Sequence, residues 1–192
     1  MNAVELRAWR RAQRTAFTAA RSALEHDARR QASAAIQENL GALFAGRRSG
    51  VVGVYWPIRD EFDVQPFVAQ LRAQGVTPAL PVVVGKEKPL EFRAWNADEP
   101  LAAGVFDLMY PAAGAALQPD ALVIPLLGFD DAGYRLGYGA GLYDRTLAVL
   151  QPKPMVIGVG FECGRLTTIY PQAYDVPMDA IVTEAGITRS AR

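Results

Sequence analysis

The spacing of apolar positions changes near residue 50. Before it, Leu6, Trp9, Gln13, Phe17, Ala20 and Leu24 trace one mostly apolar stripe at steps of three or four, and Ala32, Ile36, Leu40 and Leu43 trace a second. This spacing predicts two amphipathic helices, with Gly41 blurring the end of the second and His26 in a solvated turn between them. After Gly50, short apolar runs alternate with helical stretches. Strands are expected over 51–55, 79–84, 90–95, 121–127, 155–161 and 180–183, and helices over 64–74 and 142–150. Pro78 and Pro81 are expected to shorten the second strand or push it toward an edge. Strands alternating with helices predict an α/β fold. Its form is a mainly parallel open sheet with helices on both faces, three-layered and Rossmann-like. With no repeat or linker, residues 1–192 are expected to form a single domain.

Composition narrows the classes. The chain has 192 residues, 51% of them apolar, enough for a substantial core. Its 20 basic and 20 acidic residues balance, which argues against nucleic acid as a partner. No apolar run reaches the length of a membrane span. The arginine-rich start lacks the apolar core of a secretory signal. The lone Cys163 rules out an internal disulfide, fits a cytoplasmic protein and is expected to be a small buried hydrophobe.

Ligands of open α/β sheets bind beyond the carboxyl ends of strands. Three polar clusters follow expected strands: Arg59–Asp60–Glu61, the stretch from Asp130 to Asp144, and Glu162 to Arg165. The middle one carries Gly133, Gly137, Gly139 and Gly141 just before Tyr143, Asp144 and Arg145 open a helix. Glycines let backbone N–H groups approach a ligand, and a loop of this kind ahead of a helix can cradle phosphate. It is neither a P-loop nor a dinucleotide fingerprint. Arg7, Arg10, Arg11 and Arg14 share a face of the first helix. One Cys and one His cannot build a zinc site or a nucleophile–His pair. The remaining inventory of carboxylate, arginine, tyrosine, backbone N–H and a hard metal suits phosphoryl transfer.

PLLGFD followed by GYRLGYGAGLYDR (Gly133–Arg145) resembles the signature of the 5-formyltetrahydrofolate cyclo-ligase family. Further segments fall in that family's order: Leu6–Arg7, YWPIRDEFDVQPF with Glu61, PLEFRAW, EPLAAGVFDLMYP, GVGFE and YDVPMDAIVTE. The resemblance implies a single α/β domain that uses ATP and Mg²⁺ to convert 5-formyltetrahydrofolate to 5,10-methenyltetrahydrofolate, releasing ADP and phosphate. In that reaction the formyl oxygen attacks the γ-phosphate, N10 attacks the phosphorylated imidate, and phosphate leaves. It also implies a reduced folate as small-molecule partner and a monomer without nucleic-acid or membrane partners.

The resemblance implies roles residue by residue. Arg135 and the loop Leu136, Gly137, Tyr138, Gly139, Ala140 and Gly141 would hold the triphosphate, with Arg7, and Arg11 beside it, facing the nucleotide. Asp144 would bind Mg²⁺, and Tyr143, with Arg135, would stand at the reacting end of the substrate. Glu61 would bind the pterin edge, with Tyr55 and Trp56 as apolar or stacking surface. The chain departs from the family pattern at Ala3, Tyr138, Ala140, Gly164 and Tyr174, where donors or charges are commoner. One lost contact of that kind is worth roughly 1.5–3 kcal/mol. These losses leave an alternative open: a diverged member that binds folate or nucleotide without turnover.

Overall fold

The computed structural model describes residues 1–105 and 108–190; Phe106 and Asp107, in the segment EPLAAGVFDLMYP, lie outside it. Its centre is a seven-stranded sheet with strands β1 (Val51–Gly53), β2 (Thr77–Val82), β3 (Glu91–Ala94), β6 (Ala121–Pro125), β9 (Met155–Val159), β11 (Ala180–Thr183) and β12 (Gly186–Arg189). The order is β12-β11-β9-β6-β1-β2-β3. β2, β1, β6, β9 and β11 run parallel, and β3 and β12 close the two edges antiparallel.

The helices are α1 (Ala3–Ser22), α2 (His26–Leu43), α3 (Gln65–Ala73) and α4 (Leu142–Val149). α2 and α3 cover one face, where Ile36, Leu40, Phe44, Phe67 and Leu71 pack on Val52, Val123, Ile157 and Val182. α4 covers the other through Leu147, with Phe92, Leu122, Ile124, Phe129 and Ile181. The result is the expected mainly parallel, three-layered α/β fold. α1 lies across the carboxyl end of the sheet, with Phe17 against Gly128. Its Asn2 side chain caps the Val4 and Glu5 N–H groups while Glu5 answers to the Asn2 N–H. The stripe on α1 ends on buried Arg21 rather than on Ala20, which is exposed.

Several boundaries differ from the sequence reading. β2 is not an edge strand, because β3 lies outside it. Its prolines fit through the direction of their missing donors. The Ala79 carbonyl accepts the Val54 N–H at 2.8 Å, so Ala79 faces β1 and Pro81, two residues on, faces the same way. β1 ends at Gly53, where Pro81 has no N–H to offer. Pro78 faces β3, at the end of that ladder, where its carbonyl accepts the Trp95 N–H at 2.8 Å. His26 is the exposed first residue of α2, not a turn residue. Cys163 is exposed, because it stands on a single 3-10 turn (Glu162–Gly164) beyond the end of β9.

Two small sheets were not foreseen. One joins β4 (Leu101–Ala103) and β5 (Met109–Pro111). The other joins β7 (Gly128–Asp130), β8 (Arg135–Leu136) and β10 (Arg165–Leu166). Thus the first third of the glycine-rich stretch is a hairpin, not a loop. Buried Asp130 accepts the Tyr134 N–H at 3.1 Å and the Ile169 N–H at 2.9 Å, which fixes the hairpin turn to the later chain.

Gly53 is where β1 meets the second core. A Cβ there would stand 2.4 Å from Leu122 Cδ2 and 2.9 Å from Phe92 Cε1, both in fully buried side chains. Gly53→Ala is expected to cost about 1–3 kcal/mol by overpacking. Urea denaturation measures this, and an unchanged midpoint would contradict the packing described.

Candidate active site

Strand order reverses between β1 and β6: β1 leads outward to β2, and β6 leads the other way to β9 and β11. A crevice opens beyond the carboxyl ends of strands at such a reversal. The chain leaving β1 forms one wall, residues 55–61. The chain leaving β6 forms the other: the β7–β8 hairpin, the loop 137–141 and the head of α4.

The loop is held without secondary structure. Gly139 and Gly141 have φ of 97° and 64°, which a side chain would strain, and Gly141 caps α4 in the left-handed region. The N–H groups of residues 137–141 have no hydrogen-bond partner among the described residues. Their carbonyls are clasped by arginines. Arg14 Nε donates to the Gly137 carbonyl at 2.7 Å, and Arg145 Nη2 donates to the Ala140 carbonyl at 2.6 Å. The Arg14 guanidinium carbon would lie 3.1 Å from a Cβ on Gly139. Five free amides between two cations are donors of the kind that can hold an anion.

Arg135 lies behind this loop. Its Nη2 donates to Asp144 Oδ1 at 3.0 Å and its Nη1 to the Val176 carbonyl at 3.1 Å. Its side chain is 5% exposed against 26% for Asp144, so of the two the carboxylate is what a ligand reaches. Asp144 Oδ1 also accepts the Val176 N–H at 3.2 Å, while Oδ2 has no partner among the described residues. Tyr143 is half-buried with the Arg135 guanidinium 5.9 Å from its ring centre. Burial pushes its phenol well up, the nearby negative Glu61 adds to this, and Arg135 opposes it.

On the facing wall, Glu61 Oε2 accepts the Ile58 N–H at 2.9 Å and Oε1 accepts the Tyr138 hydroxyl at 2.8 Å. Arg21 Nη2 donates to the same hydroxyl at 2.8 Å and to the Arg59 carbonyl at 2.7 Å. The Arg59 guanidinium stands 5.3 Å from the Tyr138 ring centre. Burial, then the Glu61 charge, push the Tyr138 phenol up to about 12. Tyr55 is 2% exposed and its hydroxyl donates to the Phe62 carbonyl at 2.7 Å, which puts it in the core beneath the wall. Trp56 is half-buried, tilted against Trp95 at 5.7 Å.

The four arginines grouped on α1 part company. Arg14 reaches the loop, and Arg10 pairs with Asp175 at 2.5 Å. Arg7 and Arg11 are exposed, and their guanidinium groups have no hydrogen bond among the described residues. Arg7 precedes Arg14 by two turns, about 10 Å along the axis. Sequence reasoning passed over Arg21, although Arg7, Arg14 and Arg21 recur every seven residues and so share a stripe. The third cluster is satisfied internally: Arg165 bonds Glu162 and Asp131, and Glu162 also accepts from the Thr183 hydroxyl. Gly164 leaves no room for a side chain, since a Cβ would stand 2.3 Å from the Leu127 carbonyl oxygen. Among the described residues no three His, Cys, Asp or Glu side chains gather as a metal cage.

These features define a class: an α/β protein with an arginine-flanked, glycine-built loop facing a half-buried carboxylate across a sheet crevice. The chain belongs to the 5-formyltetrahydrofolate cyclo-ligase family, which it matches over residues 6–184. It is similar to the 5-formyltetrahydrofolate cyclo-ligase of Escherichia coli (strain K12), 29% identical over 143 residues, covering 71% of this chain and 79% of that one. To the Mycolicibacterium smegmatis enzyme of that name it is 30% identical over 172 residues, covering 81% and 87%. Its fold is similar to that of Aquifex aeolicus 5,10-methenyltetrahydrofolate synthetase, with TM-score 0.81, 28% identity and coverage of 95% and 94%.

Burial raises the Glu61 pKa above its ordinary value, against the opposing pull of the Ile58 N–H, Tyr138, Arg21 and Arg59. A carboxyl with a raised folded pKa contributes stability that is complete below its unfolded pKa and lost as pH rises through the folded one. At pH 7 the ionised group therefore destabilises the fold relative to its neutral form. Glu61→Gln is expected to unfold at higher urea than wild type at pH 7, and the advantage should fade as pH falls into the carboxylate range. A Gln variant less stable at pH 7 would contradict this.

Proposed function

We propose that this chain, acting as one domain and a cytoplasmic monomer, is a working 5-formyltetrahydrofolate cyclo-ligase. It uses ATP to close the N5–C–N10 ring of 5,10-methenyltetrahydrofolate and releases ADP and phosphate. The observation that carries the reading is the run of free amides at residues 137–141 between Arg14 and Arg145, facing Glu61 across the crevice.

The chemistry needs three things. A formamide oxygen is a poor leaving group, so it must first take a phosphoryl group. The charge spreading over the transferring group must meet fixed donors, and N10 must be held near the activated carbon. The amides of 137–141 supply the donors. Arg14 and Arg145, which bond carbonyls of the same loop, exchange these for phosphate oxygens. Arg135 positions Asp144 and helps set the polarity beneath the reacting end. Glu61 accepts the N–H edge of the reduced pterin, and Tyr143, beside Arg135 and within the field of Glu61, stands at the reacting end. Trp56 offers the apolar wall.

The donor set fits Mg²⁺. A lone carboxylate with one free oxygen suits an ion that keeps its waters and is otherwise held by phosphates. Asp144 Oδ2 would hold it, and the ion would supply neutralisation of the phosphate charge.

The test is ATP-dependent appearance of the methenyl-folate absorbance from pure protein, MgATP and 5-formyltetrahydrofolate. Asp144→Asn keeps an acceptor for the Val176 N–H and for Arg135 but takes away the charge paired with that buried guanidinium, so it is expected to melt below wild type and, assayed while still folded, to lose about 10²–10³-fold in kcat. Undiminished turnover would remove Asp144 from the reaction. Tight folate binding by wild type with no ADP release would instead favour a non-catalytic binder.

A further inference from the structure

We propose that Tyr138 is a positioning residue that stands in for the reduced pterin: its hydroxyl occupies Glu61 Oε1 until folate displaces it, and that displacement frees the glycine loop for the nucleotide. The inference rests on the reading of Glu61 as the pterin acceptor.

Tyr138 is the only polar side chain between Leu136 and Leu142, so it is the only side-chain anchor the loop has. It spans the crevice. Its hydroxyl gives its proton to Glu61 at 2.8 Å and accepts from Arg21 at 2.8 Å, while its ring lies beside the Arg59 guanidinium. A phenol O–H and a pterin N–H are both donors, and the Tyr138 hydroxyl already stands on Glu61 Oε1 on the side from which a pterin N–H would approach it, so the competition is for that place and not for the last lone pair of the oxygen. The folate side and the phosphate side of the site are therefore joined through one hydroxyl.

The geometry also says which partner yields. Arg59 and Asp60 hold φ of 49° and 59°, left-handed values that non-glycine residues keep only when their surroundings over-determine them. Here Arg21 bonds the Arg59 carbonyl, Arg29 bonds the Asp60 carbonyl at 2.9 Å, and Ser22 bonds the Asp60 carboxylate at 2.7 Å. Glu61 is thus fixed from behind by α1 and α2. The loop is held more lightly, by Arg14 at the Gly137 carbonyl and Arg145 at the Ala140 carbonyl, while Gly139 and Ala140 are exposed and its amides are unpaired among the described residues. When the hydroxyl leaves, Arg21 keeps its bond to the Arg59 carbonyl, so the carboxylate wall stays while the loop moves.

Two consequences are unlike those of a merely structural tyrosine. Removing the hydroxyl should strengthen folate binding, because a competing donor is gone. It should also uncouple folate from nucleotide, since coupling of this kind is reciprocal and runs through the released loop.

The test is titration calorimetry of 5-formyltetrahydrofolate on wild type and Tyr138→Phe, with and without a non-hydrolysable ATP analogue and Mg²⁺. Folate should bind Tyr138→Phe about tenfold more tightly than wild type without nucleotide, since a hydrogen bond to a charged group is worth roughly that factor or more. The analogue should tighten folate binding to wild type and leave the variant unchanged. Backbone ¹⁵N relaxation on wild type gives a second reading that needs no variant: folate alone should raise the mobility of residues 137–141. Wild type that binds and turns over folate, with a variant that binds no tighter or a loop that folate alone leaves no more mobile, would overturn the stand-in and leave the enzyme reading intact. Absence of both folate binding and turnover in wild type would overturn the two together.

Discussion

The reversal of strand order between β1 and β6 is the constraint on which the rest of the structure depends. Five parallel strands deliver their outgoing chains to one end of the sheet, and the reversal parts two of these chains to leave a crevice. Both cores enforce it. Val52 and Val123 face α2 and α3, while Leu122 and Ile124 face α4, so neither strand can slip by one residue without turning its apolar set around. α1 then crosses the open end, which is how residues from the start of the chain reach a loop more than a hundred positions later.

Within the crevice the two walls are made differently. The Glu61 wall is braced by Arg21, Arg29 and Ser22 and carries strain at Arg59 and Asp60. The glycine wall is braced chiefly through carbonyl oxygens, which leaves its N–H groups facing out. A rigid acceptor opposite a compliant set of donors suits a reaction in which one reactant must be fixed before the other is gripped. Arg135 serves neither wall directly; buried against Val176 and Asp144, it holds the carboxylate that a divalent ion would use.

Much of this was legible in the residues. Alternating apolar runs revealed the parallel strands, because buried strands are apolar along their length. The glycine density before Tyr143 marked the loop, because only such a backbone exposes consecutive amides. Elements with little apolar signal escaped: β8 and β10 are two residues each, and β4 and β5 are half-exposed hairpin strands. The β2 prolines misled because their effect depends on which neighbour each faces, a property of register and not of composition. The binding of Arg10 to Asp175, and of Arg21 to Tyr138, spans over a hundred residues in each case. Helical spacing puts such arginines on a face but says nothing of what lies opposite.

The central claim is that the amides of residues 137–141 grip a triphosphate beside Glu61. The most direct measurement follows the backbone ¹⁵N–¹H resonances of the wild-type protein as MgATP is added. The account predicts that the resonances of residues 137–141 and of the first turn of α4 shift together and saturate with one affinity. Saturable shifts confined to other parts of the fold, with these amides unmoved, would contradict it.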